Sequence, residues 1–241
     1  MIKDLIERGL IKENDKIVEA SSGNTAISIS WISRFLNLKP IIFIDKKVSK
    51  NKILLLKKLG AKVYVTENPR EKAKEFAKNK NLIFINQYSN DANWKAHYET
   101  TGPEILKDVK SFDAFVMGIG TGGTIVGVGK FLKERMKNVK IVGIAPKDSF
   151  IFKGKGMEKI EGLASNFVSE IFLKNKSIVD KIEKVSYKQA INGLKMLIER
   201  GILGGISSGA NFYVARKYAR RGLKVVTIAA DSIFRYDLNS L

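Results

Sequence analysis

Short runs of β-branched and other apolar residues recur along this sequence, at 17–18, 40–44, 61–65, 82–85, 114–117, 141–144, 181–185 and 225–228. Amphipathic stretches fill most of the intervals, at 25–36, 51–59, 70–78, 93–107, 123–135, 187–200 and 208–221. Parallel strands need a crossover between them, usually a helix, so this alternation predicts an α/β fold with mostly parallel sheets. Gly60, Gly201 and Gly222 close three of the helical stretches where a left-handed cap favours a residue without Cβ. At about 150 residues per domain, 241 residues allow between one and two domains. The polar run 86–91 interrupts the alternation and sets a boundary near residue 92, giving domains 1–92 and 93–241. The segment 146–180 is the least periodic, and Lys153-Gly154-Lys155-Gly156 within it reads as a mobile surface loop.

Composition removes several kinds of chemistry. The chain has no cysteine, which excludes disulfides, thiolate metal sites and cysteine nucleophiles, and its one histidine, His97, cannot build a multi-imidazole zinc site. A serine–histidine–acid triad survives only with His97 as its base. The 43 Lys plus Arg against 24 Asp plus Glu give a net charge of +19, which raises nucleic acid as a partner. The basic residues are scattered over nearly every segment and do not alternate with aromatics, so they read as a lysine-rich solvated surface. No apolar run approaches the eighteen or so residues of a membrane helix, and charges interrupt the opening residues, unlike a secretory signal. The resulting expectation is a cytoplasmic protein without membrane or nucleic-acid partners.

Open α/β sheets bind ligands beyond the carboxyl ends of their strands, so the turns after strands are where chemistry is sought. Three stand out. After 114–117 comes Gly118-Ile119-Gly120-Thr121-Gly122-Gly123-Thr124, opening a helix. Its amides can cradle a phosphate, although glycines also serve close strand–helix packing, and the lysine of a nucleoside-triphosphate loop is missing. After 17–19 comes Ala20-Ser21-Ser22-Gly23-Asn24-Thr25, where hydroxyls, an amide side chain and a helix N-terminus suit a carboxylate. N-capping is the plainer reading, but a cap needs one such residue and this turn has four. The third turn, Gly204-Gly205-Ile206-Ser207-Ser208-Gly209-Ala210, taken alone reads as a helix cap.

Taken together, and in this order, the three turns resemble the cysteine synthase and cystathionine β-synthase family, the fold type II enzymes dependent on pyridoxal phosphate. Further matching stretches are Leu55-Leu56-Lys57-Lys58-Leu59-Gly60-Ala61, Asn86-Gln87-Tyr88, His97-Tyr98-Glu99-Thr100-Thr101-Gly102-Pro103-Glu104-Ile105, Lys159-Ile160-Glu161-Gly162, and Asp231-Ser232 with Arg235-Tyr236. The resemblance implies two doubly wound, mostly parallel lobes of the tryptophan synthase β type, the smaller one mobile, with pyridoxal 5'-phosphate between them and a homodimeric assembly. It implies that Gly120, Thr121, Gly122, Gly123 and Thr124 hold the cofactor phosphate, that Asn24 bonds the phenolic oxygen of its ring, and that Ser207 sits at the ring nitrogen. A neutral hydroxyl there leaves the pyridine unprotonated and limits it as an electron sink. Ser21, Ser22, Thr25 and Gln87 are implied to bind the α-carboxylate of an amino-acid substrate, with Gly162 approaching its amino group. His97 falls inside a family motif and reads as structural.

The family's Schiff-base lysine lies in an Asn-x-x-Ser-x-Lys-Asp-Arg-like motif that is expected upstream of the point matching Met1, so no catalytic residue is assigned in this chain. Lys3 is the nearest lysine and reads as a solvated helix residue. Ala20 and Ala26 replace a usual proline and glycine, Val48-Ser49-Lys50-Asn51 blurs a family signature, and Ile233-Phe234 interrupts the pattern near the C-terminus. The implied activity is β-replacement on an activated serine, O-acetylserine or O-phosphoserine, with sulfide as nucleophile, in a chain that is N-terminally incomplete. The alternative is a short non-catalytic relative that binds pyridoxal phosphate, an amino acid or a protein partner.

Overall fold

A computed structural model describes every residue except Lys159, Ser165 and 237–241. The chain divides into two compact units, Met1–Asn90 and Asp91–Leu241. In the first, α1 (Ile2–Glu7) precedes β1 (Lys16–Ala20), α2 (Asn24–Phe35), β2 (Lys39–Asp45), α3 (Lys50–Lys58), β3 (Lys62–Thr66), α4 (Pro69–Asn79) and β4 (Ile83–Phe84). The four strands form a parallel sheet in the order β3-β2-β1-β4. The side-chain period of two sorts the core. Ile17, Ile42 and Ile44 pack with Leu5, Ala26, Ile29 and Leu56 from α1, α2 and α3, whereas Val18, Ile41 and Phe43 pack with Ala73 and Ala77 of α4. Helices therefore cover both faces. The order reverses between β1 and β4, which places the turn after β1 at the topological switch point.

The second unit opens with α5 (Ala92–Ala96), a π-helical turn (His97–Thr101) and α6 (Gly102–Val109). Then come β5 (Ala114–Gly118), α7 (Gly123–Arg135), β6 (Lys140–Pro146), α8 (Glu170–Asn175), β7 (Lys181–Val185), α9 (Tyr187–Ile198), α10 (Ile206–Ala219) and β8 (Val225–Thr227). Its parallel sheet has the order β7-β6-β5-β8, so the switch point lies at the ends of β5 and β8. Phe115, Met117 and Ile141 face a layer containing Ile125, Val128 and Leu132 of α7, and Val116, Val142 and Ile144 face Leu194 of α9 and Ala210 and Val214 of α10.

The α/β class and the parallel sheets expected from the alternation are present, and three local expectations change. The single helix expected over 93–107 is interrupted by the π-helical turn, which lies so close to α7 that a Cβ on Gly127 would sit 2.8 Å from Tyr98 N, with Trp94 O of α5 closer still. The helix expected from residue 208 starts at Ile206, because Asp231 caps it from a distance in sequence. The aperiodic segment 146–180 is more than a surface loop: Ile160, Leu163, Ala164, Ile171 and Phe172 are buried, and α8 lies inside it. Irregular backbone places apolar side chains inward without a repeating spacing, which hides them from a periodicity reading. Among the described residues no helix is long and apolar enough to cross a membrane.

Candidate functional site

The turn after β1 begins from four consecutive buried residues, Ile17 to Ala20, as expected of an interior strand of a parallel sheet. Its first-turn helix amides, on Asn24, Thr25 and Ala26, have no intrahelical acceptor, and Gly23 at the cap position offers no side chain. Two serines shape the turn: Ser21 Oγ accepts from the Gly23 amide at 3.3 Å, and Ser22 Oγ accepts from the Asp45 amide at the end of β2, also at 3.3 Å. Thr25 Oγ1 donates to Gln87 Oε1 at 2.7 Å, and Gln87 Nε2 donates to Ala20 O at 3.4 Å. Ser21, Ser22, Thr25 and Gln87 are thus gathered at the carboxyl ends of β1, β2 and β4. Asn24 is exposed at the first position of α2. Lys3 is on α1, with its side chain 86% exposed and its ammonium 3.7 Å from Glu7.

In the second unit, Gly122 adopts φ +84 and delivers the chain into α7, again with no side-chain cap. The Gly123 amide donates to Thr121 Oγ1 at 3.2 Å, while the amides of Thr124 and Ile125 have no intrahelical acceptor. The glycines of this loop serve packing. A Cβ on Gly120 would overlap the Gly162 carbonyl, one on Gly122 would lie 2.9 Å from Phe172 Cβ, and one on Gly123 would overlap the Asn93 side chain. The Ala164 amide donates to Ile119 O at 2.7 Å, which lays the 160–164 segment across the loop. Gly162 has φ +90, and a Cβ there would lie 3.3 Å from Ser207 Oγ. Gly120, Gly162 and Ser207 therefore form one neighbourhood. Lys159, in the same matching stretch, lies outside the described residues.

Ser207 is 8% exposed, and its hydroxyl has no hydrogen-bond partner among the described residues. Its neighbour Ser208 is differently employed. Asp231 Oδ1 accepts from Ser208 Oγ and from the Gly205 amide, both at 2.9 Å, and Asp231 Oδ2 accepts from the Tyr236 hydroxyl. Burial first, and then this bond to Asp231, push the Tyr236 phenol well above its ordinary pKa, so it stays a donor. The sheet side is fixed by Asn211 of α10, which accepts from the Gly118 amide at 2.8 Å and donates to Ile228 O at 3.0 Å.

Three supporting residues, Asn93, Asn211 and Glu19, escaped the sequence reading, and His97 gains a specific role. Asn93 Nδ2 donates to Thr121 Oγ1 at 3.2 Å, and its side chain fills the space that a Cβ on Gly123 would need. His97, read from sequence as structural, links two hydroxyls: its Nδ1 is 3.0 Å from Thr101 Oγ1 and its Nε2 is 3.1 Å from Thr124 Oγ1. Burial lowers its pKa, and a neutral imidazole donates from one nitrogen and accepts at the other. Asn211 sits in a helix with almost no amphipathic pattern and gave no signal. The third is Glu19, a fully buried carboxylate one residue before the first turn.

Comparison with known proteins gives this geometry its context. Residues 1–231 match the family described as pyridoxal-phosphate dependent enzyme. Cysteine synthase B of Campylobacter jejuni is 38% identical over 248 residues, covering 98% of this chain and 82% of that protein. The chain belongs to the cysteine synthase and cystathionine β-synthase family of pyridoxal-phosphate dependent enzymes. Among solved structures, O-ureido-L-serine synthase superposes with a TM-score of 0.91 at 29% identity, covering 98% of this chain and 78% of that one. The O-acetylserine dependent cystathionine β-synthase of Helicobacter pylori gives 0.90 at 32% identity, covering 98% and 80%.

The cofactor of this family is pyridoxal 5'-phosphate, and the donors of the second unit suit it. Free helix-start amides and the Thr121 and Thr124 hydroxyls are phosphate donors, and no carboxylate is bonded to the loop 119–124 among the described residues. The unpartnered, nearly buried Ser207 hydroxyl fits a ring nitrogen, which a carboxylate at this place would protonate.

Proposed function

We propose that Gly120 to Thr124 hold the cofactor phosphate, that Ser207 meets the ring nitrogen and Asn24 the phenolic oxygen, and that Ser21, Ser22, Thr25 and Gln87 bind the α-carboxylate of an activated serine, with Gly162 near its amino group. Pyridoxal phosphate, when bound, supplies the electron sink that lets a β-substituent depart. The conversion that suits these groups is replacement of the acetate or phosphate of O-acetyl-L-serine or O-phospho-L-serine by sulfide, giving L-cysteine and the free acid. The observation that carries the reading is the Thr25–Gln87 hydrogen bond at the α2 N-terminus: donors and amides are collected there for a carboxylate, far beyond what capping needs. The chain's residues bind and orient. First-turn amides and hydroxyls of α2 neutralise the substrate's negative end, and the unprotonated pyridine partnered by Ser207 favours loss of a good leaving group over deeper carbanion chemistry.

A second reading has its own observation. None of the described lysines is buried, and Lys3 is solvated and paired with Glu7, so the Schiff-base role falls on none of them by environment. The second reading is a protein that binds the cofactor and the amino acid without turning them over. One experiment separates the two. Protein incubated with pyridoxal phosphate is titrated with O-acetyl-L-serine and O-phospho-L-serine, then assayed for sulfide-dependent L-cysteine at low and high ionic strength. Binding with turnover supports the synthase, and binding without turnover supports the silent relative. Failure to bind either serine derivative overturns both. A preference for the phosphorylated substrate that fades with salt is expected from the net charge of +19.

A further inference from the structure

Glu19 is 0% exposed in β1, and among the described residues its hydrogen-bond partners are backbone amides. Its Oε1 accepts from the Ala20 amide at 2.8 Å and its Oε2 accepts from the Gln87 amide at 3.2 Å. Ala20 leads into Ser21 and Ser22, and Gln87 carries the side chain that bonds Thr25 and Ala20 O. One carboxylate therefore ties together the two segments that carry Ser21, Ser22, Thr25 and Gln87, across the β1–β4 switch point. β2 places Ile42 opposite it and contributes no charge there. The charged and titratable groups that act on it are Arg70 of α4 and the Tyr88 phenol, and the Arg70 guanidinium stacks 4.9 Å from the centre of the Tyr88 ring. A buried carboxylate is expensive to keep, and the sheet would pack as well around an apolar residue. Its retention needs a use.

We propose that Glu19 is a positioning residue for the amino-acid site: by accepting the Ala20 and Gln87 amides it fixes the β1–α2 turn and Gln87 at the spacing a substrate α-carboxylate requires. This role rests on the function proposed above. The ionised form is the one that serves, because a protonated oxygen would turn a donor toward an amide that already donates. Burial pushes this carboxyl up to about 7, against the amide bonds and the Arg70 charge that pull it down. Substrate affinity consequently falls as pH drops through that region. The repulsion between Glu19 and a bound carboxylate has the opposite sign. It is the weaker effect here, since the first-turn amides of α2 and the Arg70 charge offset it, whereas the amide contacts to Glu19 are direct.

The test uses the protein with pyridoxal phosphate and measures O-acetyl-L-serine binding by calorimetry from about pH 5.5 to about pH 8.5, alongside carbon NMR of labelled glutamate in the protein alone. The expected result is affinity that weakens on acidification in step with a Glu19 carboxyl titration near pH 7. Glu19→Gln is expected to bind about tenfold more weakly above pH 7, to lose the pH dependence, and to bind pyridoxal phosphate as before. Glu19→Asp keeps the charge but is one methylene short of reaching both amides, so weakened binding that the charge does not rescue is expected. Faster hydrogen exchange at the Gln87 amide in either variant supports the clamp. If Glu19→Gln does not fold, the parent's pH profile and the carboxyl titration decide. Parent binding that is flat with pH, or that strengthens on acidification, overturns this role while leaving the function standing. Absence of O-acetyl-L-serine binding by the parent overturns the function and this role with it.

Discussion

His97 Nε2 lies 3.1 Å from Thr124 Oγ1, so the single imidazole of the chain orients a hydroxyl at the mouth of α7. The π-helical turn makes this possible: it advances the chain by an extra residue and brings His97 between Thr101 and Thr124. Replacing His97 with Ala leaves both threonine hydroxyls without that partner. About fivefold weaker pyridoxal phosphate binding is expected, equivalent to roughly 1 kcal/mol, measured by equilibrium dialysis. Because burial lowers the imidazole pKa, the parent's affinity should show no step attributable to His97 between about pH 6.5 and about pH 8, and a step that vanishes in the variant would contradict the neutral linker.

Gly122 is the loop glycine that combines a left-handed backbone with a close neighbour. Its φ of +84 disfavours any Cβ, and the added atom would lie 2.9 Å from Phe172 Cβ. Gly122→Ala should lower stability by about 1–3 kcal/mol, read as a reduced urea midpoint, and should weaken phosphate binding as well. Gly222→Ala makes a useful control: φ is +85, but no atom lies within 4 Å of the added Cβ. The difference between the two variants isolates the packing component from the backbone strain.

Asp231 is the counterpart of that loop on α10. It accepts from the Gly205 amide, Ser208 Oγ and the Tyr236 hydroxyl, and so fixes the helix start that presents Ser207. Asp231→Asn turns one acceptor into a donor facing donors, and a loss of about 1–3 kcal/mol in unfolding free energy is expected. Tyr236→Phe removes a single bond from the same group and should lose less. Equal losses in the two variants would show that the Tyr236 bond alone carries the cap.

The architecture was open to reading from sequence because its information is local. The runs at 40–44 and 114–117 carry their own β propensity, and the hydroxyls of Ser21, Ser22 and Thr25 announce themselves at a helix start. What stayed hidden depends on distance along the chain. Asn211 meets the Gly118 amide across ninety-three residues, and Asp231 caps a helix whose first residue is Ile206. The aperiodic segment 146–180 hid its core contribution in the same way: Ile160 and Leu163 reach the core through irregular backbone that has no repeat to detect. Glu19 was concealed by its strand, since an acidic residue after a short apolar run gives no sign of burial, whereas both faces of this parallel sheet are covered.

Two buried carboxylates give stability a pH profile with limbs of opposite sign. Glu183 in β7 is opposed by burial, yet bonds from Lys181 at 2.6 Å, Tyr218 at 2.8 Å and Lys217 at 3.1 Å outweigh it and hold its pKa at about 2. Its folded value lies below the unfolded one, so its contribution is present above about pH 4.5 and is lost as pH falls toward about 2. For Glu19 the folded value, about 7, lies above the unfolded one, so the folded state holds a proton that the unfolded chain has released, and stability declines as pH rises from about 4.5 to about 7. Denaturant unfolding followed across pH should show both limbs. Glu183→Gln should flatten the acid limb and leave the other intact, and Glu19→Gln should do the reverse. An acid limb that persists in Glu183→Gln would move its origin to another carboxylate and dissolve the link between the Lys181, Lys217 and Tyr218 contacts and acid stability.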